Sequence, residues 1–403
     1  MKKRIFIAMH YMEIGGAEIS LIGLLNAIDY SQYDVDLFIY SHQGELMTMI
    51  PKEVNLLPQI PVYSYIEKPM TATLKAGYMK LVVARLWAKH KFKEYCKKYQ
   101  PKDDSAVFQY IANYVTPLLP SLNNYGKYDL AISFLTPHNI VLDKVDAKKK
   151  IAWIHTDYSK IDVNATLELP VWEKYDYIVS ISEDVTKTFL LTFPTLKNKI
   201  VEIHNILSPT FVRSRSEEKV NLAQMEQSRN RINFLSVGRF SDAKNFDNVP
   251  DMLKIVREQG IDAYWFIIGY GGLESLIRQK IAEAGMQDYV ILLGKKENPY
   301  PYIKACDIYV QPSRYEGNSV TVREAQMLCK PIVVTNYATA KSQINDGVDG
   351  VIVPMDNKGC AVGITELVHD VDKQIKIIEY LKSHDYGNET EVEKIYKLLP
   401  VGR

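Results

Sequence analysis

Asp307-Ile308-Tyr309-Val310-Gln311-Pro312-Ser313-Arg314-Tyr315-Glu316-Gly317-Asn318-Ser319 is the stretch whose pattern decides the fold. It starts as a short apolar run of strand type, breaks at Pro312 and passes through a polar loop into Val320 to Leu328, which reads as a helix. Lys330-Pro331 ends that helix, and Ile332-Val333-Val334-Thr335 is the next strand. Strand, helix and strand in this order make a parallel pair with a helical crossover. In open sheets of this kind a ligand sits beyond the carboxyl ends of the strands. Glu316 and the amides of Gly317, Asn318, Ser319 and Val320 are therefore expected at a cleft, beside a helix N-terminus suited to an anion.

The same alternation extends in both directions. Strands are expected at residues 4–9, 34–40, 130–134, 150–155, 177–181 and 199–204, then at 232–237, 264–268, 290–293, 307–311, 332–335 and 350–353. Two doubly wound sheets suit these runs better than one, and 403 residues suit two to three domains. The expected class is α/β, with a Rossmann-like domain over residues 1–207 and a second over 231–380. Between them, 208–230 is read as a linker, because Ser208-Pro209 breaks the chain and a charged stretch from Arg213 to Lys219 follows. Residues 381–403 are read as a carboxy-terminal helix able to pack back on the first domain.

Composition narrows the function. The 49 Lys+Arg against 48 Asp+Glu leave a net charge of +1, unlike the basic footprint of a nucleic-acid binder. Cys96, Cys306, Cys329 and Cys360 lie far apart, so neither a disulfide framework nor a zinc site is suggested, and a cytoplasmic setting is expected. No stretch reaches the roughly 18 apolar residues of a membrane span. Residues 74–99 stand apart: Leu74, Tyr78, Leu81, Ala88, Phe92 and Tyr95 would share one helical face, with eight basic residues against Glu94 alone. Such a helix suits an anionic membrane surface, or simply covers its own domain with its apolar face.

Two further constellations carry chemistry. The strand Phe234 to Val237 ends in Gly238-Arg239, and Lys244-Asn245 follows; two cations at a strand's carboxyl end suit a diphosphate, Arg239 by its planar fork and Lys244 as a point charge. In Ile268-Gly269-Tyr270-Gly271-Gly272-Leu273-Glu274 the third glycine of a dinucleotide fingerprint is replaced by Glu274. Glu316 and Glu324, on a loop and on the following helix, suit the acid and base of a hydrolase or the binding of hydroxyls at two points along one ligand equally well. Asp34-Val35-Asp36 and Asp370-Val371-Asp372 look like metal-binding pairs but are read as flanks of ordinary elements.

The order and spacing of Gly238-Arg239, Lys244-Asn245, Gly269-Tyr270-Gly271, Glu316-Gly317 and Glu324-Ala325 resembles the retaining glycosyltransferases of the GT-B fold, group 1 (family 4) type. Tyr11-Met12-Glu13-Ile14-Gly15-Gly16-Ala17-Glu18 is similar to that family's amino-terminal glycine loop. One departure is Cys329, where such families often carry glycine. The resemblance implies two domains facing each other across a cleft, with Arg239 and Lys244 on the donor diphosphate and Glu324 on the ribose. It places Glu316 beside the transferred sugar, with Gly238, Gly317, Asn318, Ser319 and Val320 lining the donor. Gly15 and Gly16 would let the first domain's backbone approach the phosphate, and Gly294 with Lys295 would meet the base. His155, ending a first-domain strand, would face the donor sugar or the acceptor; His138, Asn139 and Asn205 are lesser candidates.

The implied activity is transfer of a sugar, with retention, from a nucleotide-diphosphate donor to a saccharide acceptor. The acceptor is expected to be lipid-linked, at the inner face of the cell membrane, in surface polysaccharide biosynthesis. No cofactor and no metal are implied, and a UDP-sugar is expected ahead of a GDP-sugar. The competing readings are a nucleotide-sugar epimerase of the same fold and a non-catalytic membrane-attached scaffold.

Overall fold

The computed structural model describes residues 2–13, 15–225, 231–317 and 319–400. The chain divides into two units, Met1–Leu207 with Asn388–Arg403, and Ser208–Gly387.

The first unit holds a seven-stranded parallel sheet: β1 (Lys3–Met9), β2 (Tyr33–Ile39), β3 (Asn55–Leu56), β4 (Tyr128–Ser133), β5 (Ala147–Ile154), β6 (Tyr177–Ser180) and β7 (Ile200–Glu202). Their order is β3-β2-β1-β4-β5-β6-β7, so the winding reverses between β1 and β4. Ile5 of β1 stands level with Val35 of β2 and Leu130 of β4, all three buried. Helices cover both faces of these strands, which is why they read as continuous apolar runs. The two-residue β3 is too short to show any period and escapes a sequence reading.

The second unit has six parallel strands: β8 (Ile232–Val237), β9 (Ala263–Ile268), β10 (Val290–Gly294), β11 (Ile308–Gln311), β12 (Ile332–Thr335) and β13 (Val351–Val353). In the order β10-β9-β8-β11-β12-β13 the reversal falls between β8 and β11. Its core joins Phe234, Trp265 and Val310 of the sheet to Val256 and Leu367 of the covering helices.

Three expectations are corrected. The segment read as a linker contains the helix Pro209–Ser216, capped by Ser208 and packed on the helices Tyr300–Ala305 and Val320–Met327. Charge had disguised it: Val212 is buried while Arg213 reaches the carbonyl of Met327 at 3.3 Å. Residues 226–230 lie outside the described residues. The carboxy-terminal segment is likewise divided, for the helix Val371–Ser383 stays with the second unit and the short helix Val392–Tyr396 lies on the first. There Tyr396 stacks on Tyr33 at 4.3 Å and accepts the amide of Asp29 at 2.8 Å.

The third correction concerns residues 74–99, which form two helices, Met70–Lys75 and Met79–Tyr99, parted at Gly77 with φ of +84°. Leu81, Ala88 and Phe92 of the expected face are buried in the first unit, Ala88 and Phe92 against Ala106 and Tyr110. Leu74 of the expected face stays exposed, and the other exposed large apolar residues of the segment are Met79, Val83, Leu86, Trp87 and Tyr99. Asp36 is also structural, holding Arg4 at 2.7 Å and the Tyr128 hydroxyl at 2.6 Å.

At the carboxyl ends of β8, β9 and β10 the loops are tied in series: the Gly238 amide donates to Ile268, Phe240 to Tyr270 and Gly269 to Gly294. A Cβ on Gly269 would lie 1.9 Å from the Gly238 carbonyl oxygen. Gly269→Ala is therefore expected to lower the stability of the second unit by about 1–3 kcal/mol, read by urea denaturation. Gly272→Ala, with open space around its Cβ, is the control and leaves the midpoint within error.

Candidate functional site

The reversal between β8 and β11 creates the crevice at which ligands of doubly wound sheets bind. Two loops meet there, Gly238 to Asn245 after β8 and Pro312 to Ser319 after β11. Arg314 sews them together, its guanidinium on both oxygens of Asp247 at 3.0 and 2.7 Å and its amide on the Ala243 carbonyl at 2.8 Å. Asn245, buried and left-handed at φ +58°, donates to the Pro312 carbonyl at 2.9 Å. The central bond is Lys244 Nζ to Glu316 Oε1 at 2.5 Å. Gly238 makes it possible, since a Cβ there would press on the stem of Lys244 at 3.1–3.3 Å.

Glu316 Oε1 also accepts from Ser313 Oγ at 2.6 Å and Gln311 Nε2 at 3.1 Å, and Tyr309 donates to Gln311 Oε1 at 2.8 Å. Gln311 and Ser313 are fully buried and were not singled out in the sequence; polar side chains at the end of an otherwise apolar strand are the signal that marks them. Lys244 thus spends one of its three protons on Glu316. Arg239 is different, for it is exposed and its guanidinium has no hydrogen-bond or ion-pair partner among the described residues.

Downstream, Ser319 is the N-cap of the helix Val320–Met327, and its backbone is clamped by Gln343, which accepts the Ser319 amide at 3.2 Å and donates to its carbonyl at 2.5 Å. The expectation that this amide awaits a ligand is corrected accordingly. Gly317 is exposed with open space at its Cβ, Val320 opens the helix, and Asn318 lies outside the described residues. Gly294, at φ +70° beside a register shift in β10, is glycine for backbone reasons, and Lys295 lies over Tyr270 at 5.4 Å.

Glu324, expected to face the same cavity, is only 1% exposed, with the Tyr300 hydroxyl 2.8 Å from its Oε1. Burial pushes its carboxyl up to about 7. Tyr300, not foreseen, is therefore the group that holds this carboxylate.

In the first unit the expected residues fall at the other reversal, between β1 and β4. Gly15 is extended at φ −157°, where a Cβ would run into the Glu18 carboxylate, and a Cβ on Gly16 would meet nothing. His155 follows β5, packed against Phe134 at 4.7 Å and parallel to Trp153 at 6.1 Å. Burial pushes its imidazole down to about 3 although it bonds to the Phe134 backbone, and Nε2 has no protein partner. His138 is structural: it is buried, its Nδ1 lies 2.8 Å from Ser133 Oγ, and its carbonyl accepts from Tyr175 at 2.5 Å. Asn139 begins the helix Asn139–Lys144, and Asn205 is occupied by Ser20 at 2.8 Å.

The buried carboxyl of Glu324 has a pH signature. Its folded pKa of about 7 lies above the ordinary 4.5, so its contribution to stability is complete below about pH 4.5 and is lost as pH rises through 7. Glu324→Gln, neutral throughout, is expected to gain about 1–3 kcal/mol on the wild type in mildly alkaline solution and nothing in acid. Urea midpoints at the two pH values check this; an equal effect at both would refute it.

Comparison with known proteins agrees with this geometry. Residues 219–384 match the family model described as glycosyl transferases group 1. An uncharacterised glycosyltransferase of Methanocaldococcus jannaschii is 26% identical over 219 residues, 51% of this chain, and the chain spans about half (53%) of that relative's length. A Campylobacter jejuni enzyme named as an N-acetylgalactosamine-N,N'-diacetylbacillosaminyl-diphospho-undecaprenol 4-alpha-N-acetylgalactosaminyltransferase is 22% identical, covering 72% of this chain and 71% of its own. Among solved structures, Anabaena HepE in complex with UDP and glucose superposes with a TM-score of 0.66 at 15% identity, over 98% of both chains. The Arg239–Lys244 loop and the Glu316 staple thus lie within the part of the chain that matches the group 1 glycosyl transferases, and the chain has the GT-B fold.

Proposed function

We propose that this chain is a retaining, metal-independent glycosyltransferase that moves a sugar from a nucleoside-diphosphate donor, a UDP-sugar ahead of a GDP-sugar, to a saccharide acceptor. The observation that carries this reading is the exposed guanidinium of Arg239, without a partner among the described residues, on the same loop as Lys244, at the crevice between β8 and β11. A planar fork with free donors takes two phosphate oxygens at once, and Lys244 adds a point charge through its remaining protons. Both act on charge that grows on the leaving diphosphate as the glycosidic bond breaks. Glu316, immobilised by three donors to one oxygen, is set to receive a sugar hydroxyl on the other, and Glu324 to receive the ribose. His155, held neutral by burial, supplies a hydrogen-bond acceptor and not a proton. Retention follows in this reading from attack of the acceptor hydroxyl on the face the diphosphate leaves.

The acceptor is proposed to be lipid-linked, as the name of the Campylobacter relative gives for its own diphospho-undecaprenol substrate, and the setting to be surface polysaccharide assembly at the inner face of the cell membrane. A surface supports this. Met79, Val83, Leu86 and Trp87, at steps of four, three and one, lie on the exposed side of the helix Met79–Tyr99 and are 51–58% exposed. Lys80, Lys89, Lys91, Lys93 and Lys97 lie on the same helix, at roughly 1 kcal/mol each near an anionic surface. No helix among the described residues is long and apolar enough to cross a membrane.

Two outcomes are expected. Arg239→Ala should lose about 2–4 kcal/mol in transition-state stabilisation, read as kcat/KM for sugar transfer, and should weaken UDP in calorimetry while melting like the wild type. Wild-type affinity and turnover would reject the assignment, and release of an isomerised donor without any acceptor would favour the epimerase. The second expectation is that Val83→Glu with Trp87→Glu reduces co-sedimentation with phosphatidylglycerol vesicles about tenfold or more. Undiminished binding would remove this helix as the membrane contact.

A further inference from the structure

The strands β11 and β12 pair as far as Gln311 and Val334, and there the backbone ladder stops. Pro312 has no amide to offer, and the loop from Ser313 to Ser319 follows it. The carbonyls of that loop nevertheless find partners at a regular interval. Thr335 Oγ1 donates to the carbonyl of Ser313 at 2.6 Å, Thr339 Oγ1 to that of Glu316 at 2.8 Å and Gln343 Nε2 to that of Ser319 at 2.5 Å. Donors on every fourth residue of one segment thus meet acceptors on every third residue of the other, and side chains continue the attachment that the backbone gave up.

Two details set this series apart from ordinary loop packing. Thr339 is the N-cap of the short helix Ala340–Gln343, a place where threonine ordinarily bonds an amide of its own helix, and its side chain makes no such bond. Its hydroxyl reaches Glu316 instead. Gln343 is committed at both ends of its side-chain amide, for its Oε1 accepts from the Ser319 amide and from the Tyr337 hydroxyl, each at 3.2 Å, while its own backbone carbonyl accepts from Gln326 at 3.3 Å. Tyr337 and Gln326 are buried, so Gln343 is oriented by groups that are themselves fixed. Thr339 and Gln343 are only half-buried; what they contribute is these bonds more than core packing.

Glu316 and Ser319 are the residues whose placement matters to the site. Lys244, Ser313 and Gln311 hold the Glu316 carboxyl, yet a side chain goes where its backbone goes, and Thr339 holds that backbone. Ser319 precedes the first turn of the helix Val320–Met327, so the direction of that turn's open amides follows from the position of Ser319. Groups that meet a ligand must stand within about 0.5 Å of the productive place, and the residues behind them set that precision.

We propose that Thr339 and Gln343 are positioning residues of the donor site, fixing the backbone of Glu316 and Ser319 so that the Glu316 carboxyl meets the transferred sugar and the first amides of the helix Val320–Met327 meet the diphosphate. The assignment rests on the transferase reading. Thr339→Val and Gln343→Met keep the size of each side chain and remove its hydrogen bonds, and Thr339→Ser returns the hydroxyl. Amide exchange over residues 313–323, read by mass spectrometry in the ligand-free full-length chain, reports whether the loop is held. Calorimetry with UDP, GDP, UDP-glucose, UDP-galactose and UDP-N-acetylglucosamine reports what the loop then binds.

Both variants should melt like the wild type and exchange about tenfold faster in this loop alone. Gln343→Met should weaken UDP about tenfold, the value of one hydrogen bond to a charged group. Thr339→Val should leave UDP within about twofold while weakening a UDP-sugar about tenfold, and Thr339→Ser should restore it. Should Gln343→Met melt early, Gln343→Glu, which keeps the acceptor for the Ser319 amide and loses the donor to its carbonyl, carries the same test. Unchanged exchange with unchanged affinity overturns the positioning role and leaves the transferase reading standing, and so does faster exchange spread over the whole second unit. Wild-type protein that binds neither UDP nor GDP overturns the transferase reading instead, and exchange still decides whether these side chains hold the loop.

Discussion

The bond between Lys244 and Glu316 is the one on which the second unit's site depends. It closes the loops after β8 and β11 over the point where the sheet reverses, and both partners are mostly shielded from water. Removing either would leave a charge in a place that solvates it poorly, so the pair is far more constraining than a surface ion pair. Its geometry needs Gly238 small, Gln311 and Ser313 polar inside a strand end, and Arg314 locked on Asp247. On the loop Gly238 to Asn245, Arg239 stays exposed, and its guanidinium has no partner among the described residues. A site that keeps one cation paired and one available has its electrostatics arranged before the ligand arrives, so less reorganisation is asked of it.

The two units use one topological device for opposite chemistry. Each sheet reverses next to its first strand, and each reversal leaves a gap between diverging loops. In the second unit the gap is furnished with Arg239 and Lys244. In the first it is furnished with aromatic rings, neutral histidines and two carboxyls, one of them pushed up to about 7 by burial. The same backbone rule thus selects the location in both, and the side chains select the charge of what is bound.

Much of this was legible in the order of residues. Twelve of the strands appear as apolar runs because both faces of a parallel sheet are covered, and only the two-residue β3 was too brief to register. Glu316, Lys244 and Arg239 could be identified because strand-to-helix turns announce themselves through glycine, proline and charge. Orientation was less legible. The helix Met79–Tyr99 carries apolar side chains on two opposite sides, and a periodicity cannot tell which side a neighbouring helix will cover; Ala88 and Phe92 met Ala106 and Tyr110, leaving Val83 and Trp87 outside. The helix Pro209–Ser216 was hidden by its arginines, of which Arg213 reaches the Met327 carbonyl and Arg215 pairs with Glu218.

What the sequence determined by itself is the class of fold, the places where strands end, and the residue types offered at those ends, because these are local properties of pattern and turn chemistry. What only the tertiary structure decided is pairing and burial. It made Lys244 a partner of Glu316 and left Arg239 exposed, it sank Glu324 beneath Tyr300, and it gathered His10, Trp153, His155 and Glu168 around one cavity from three separate segments. Those outcomes depend on which groups water is excluded from, and exclusion of water is a property of the packed chain, not of any stretch of it.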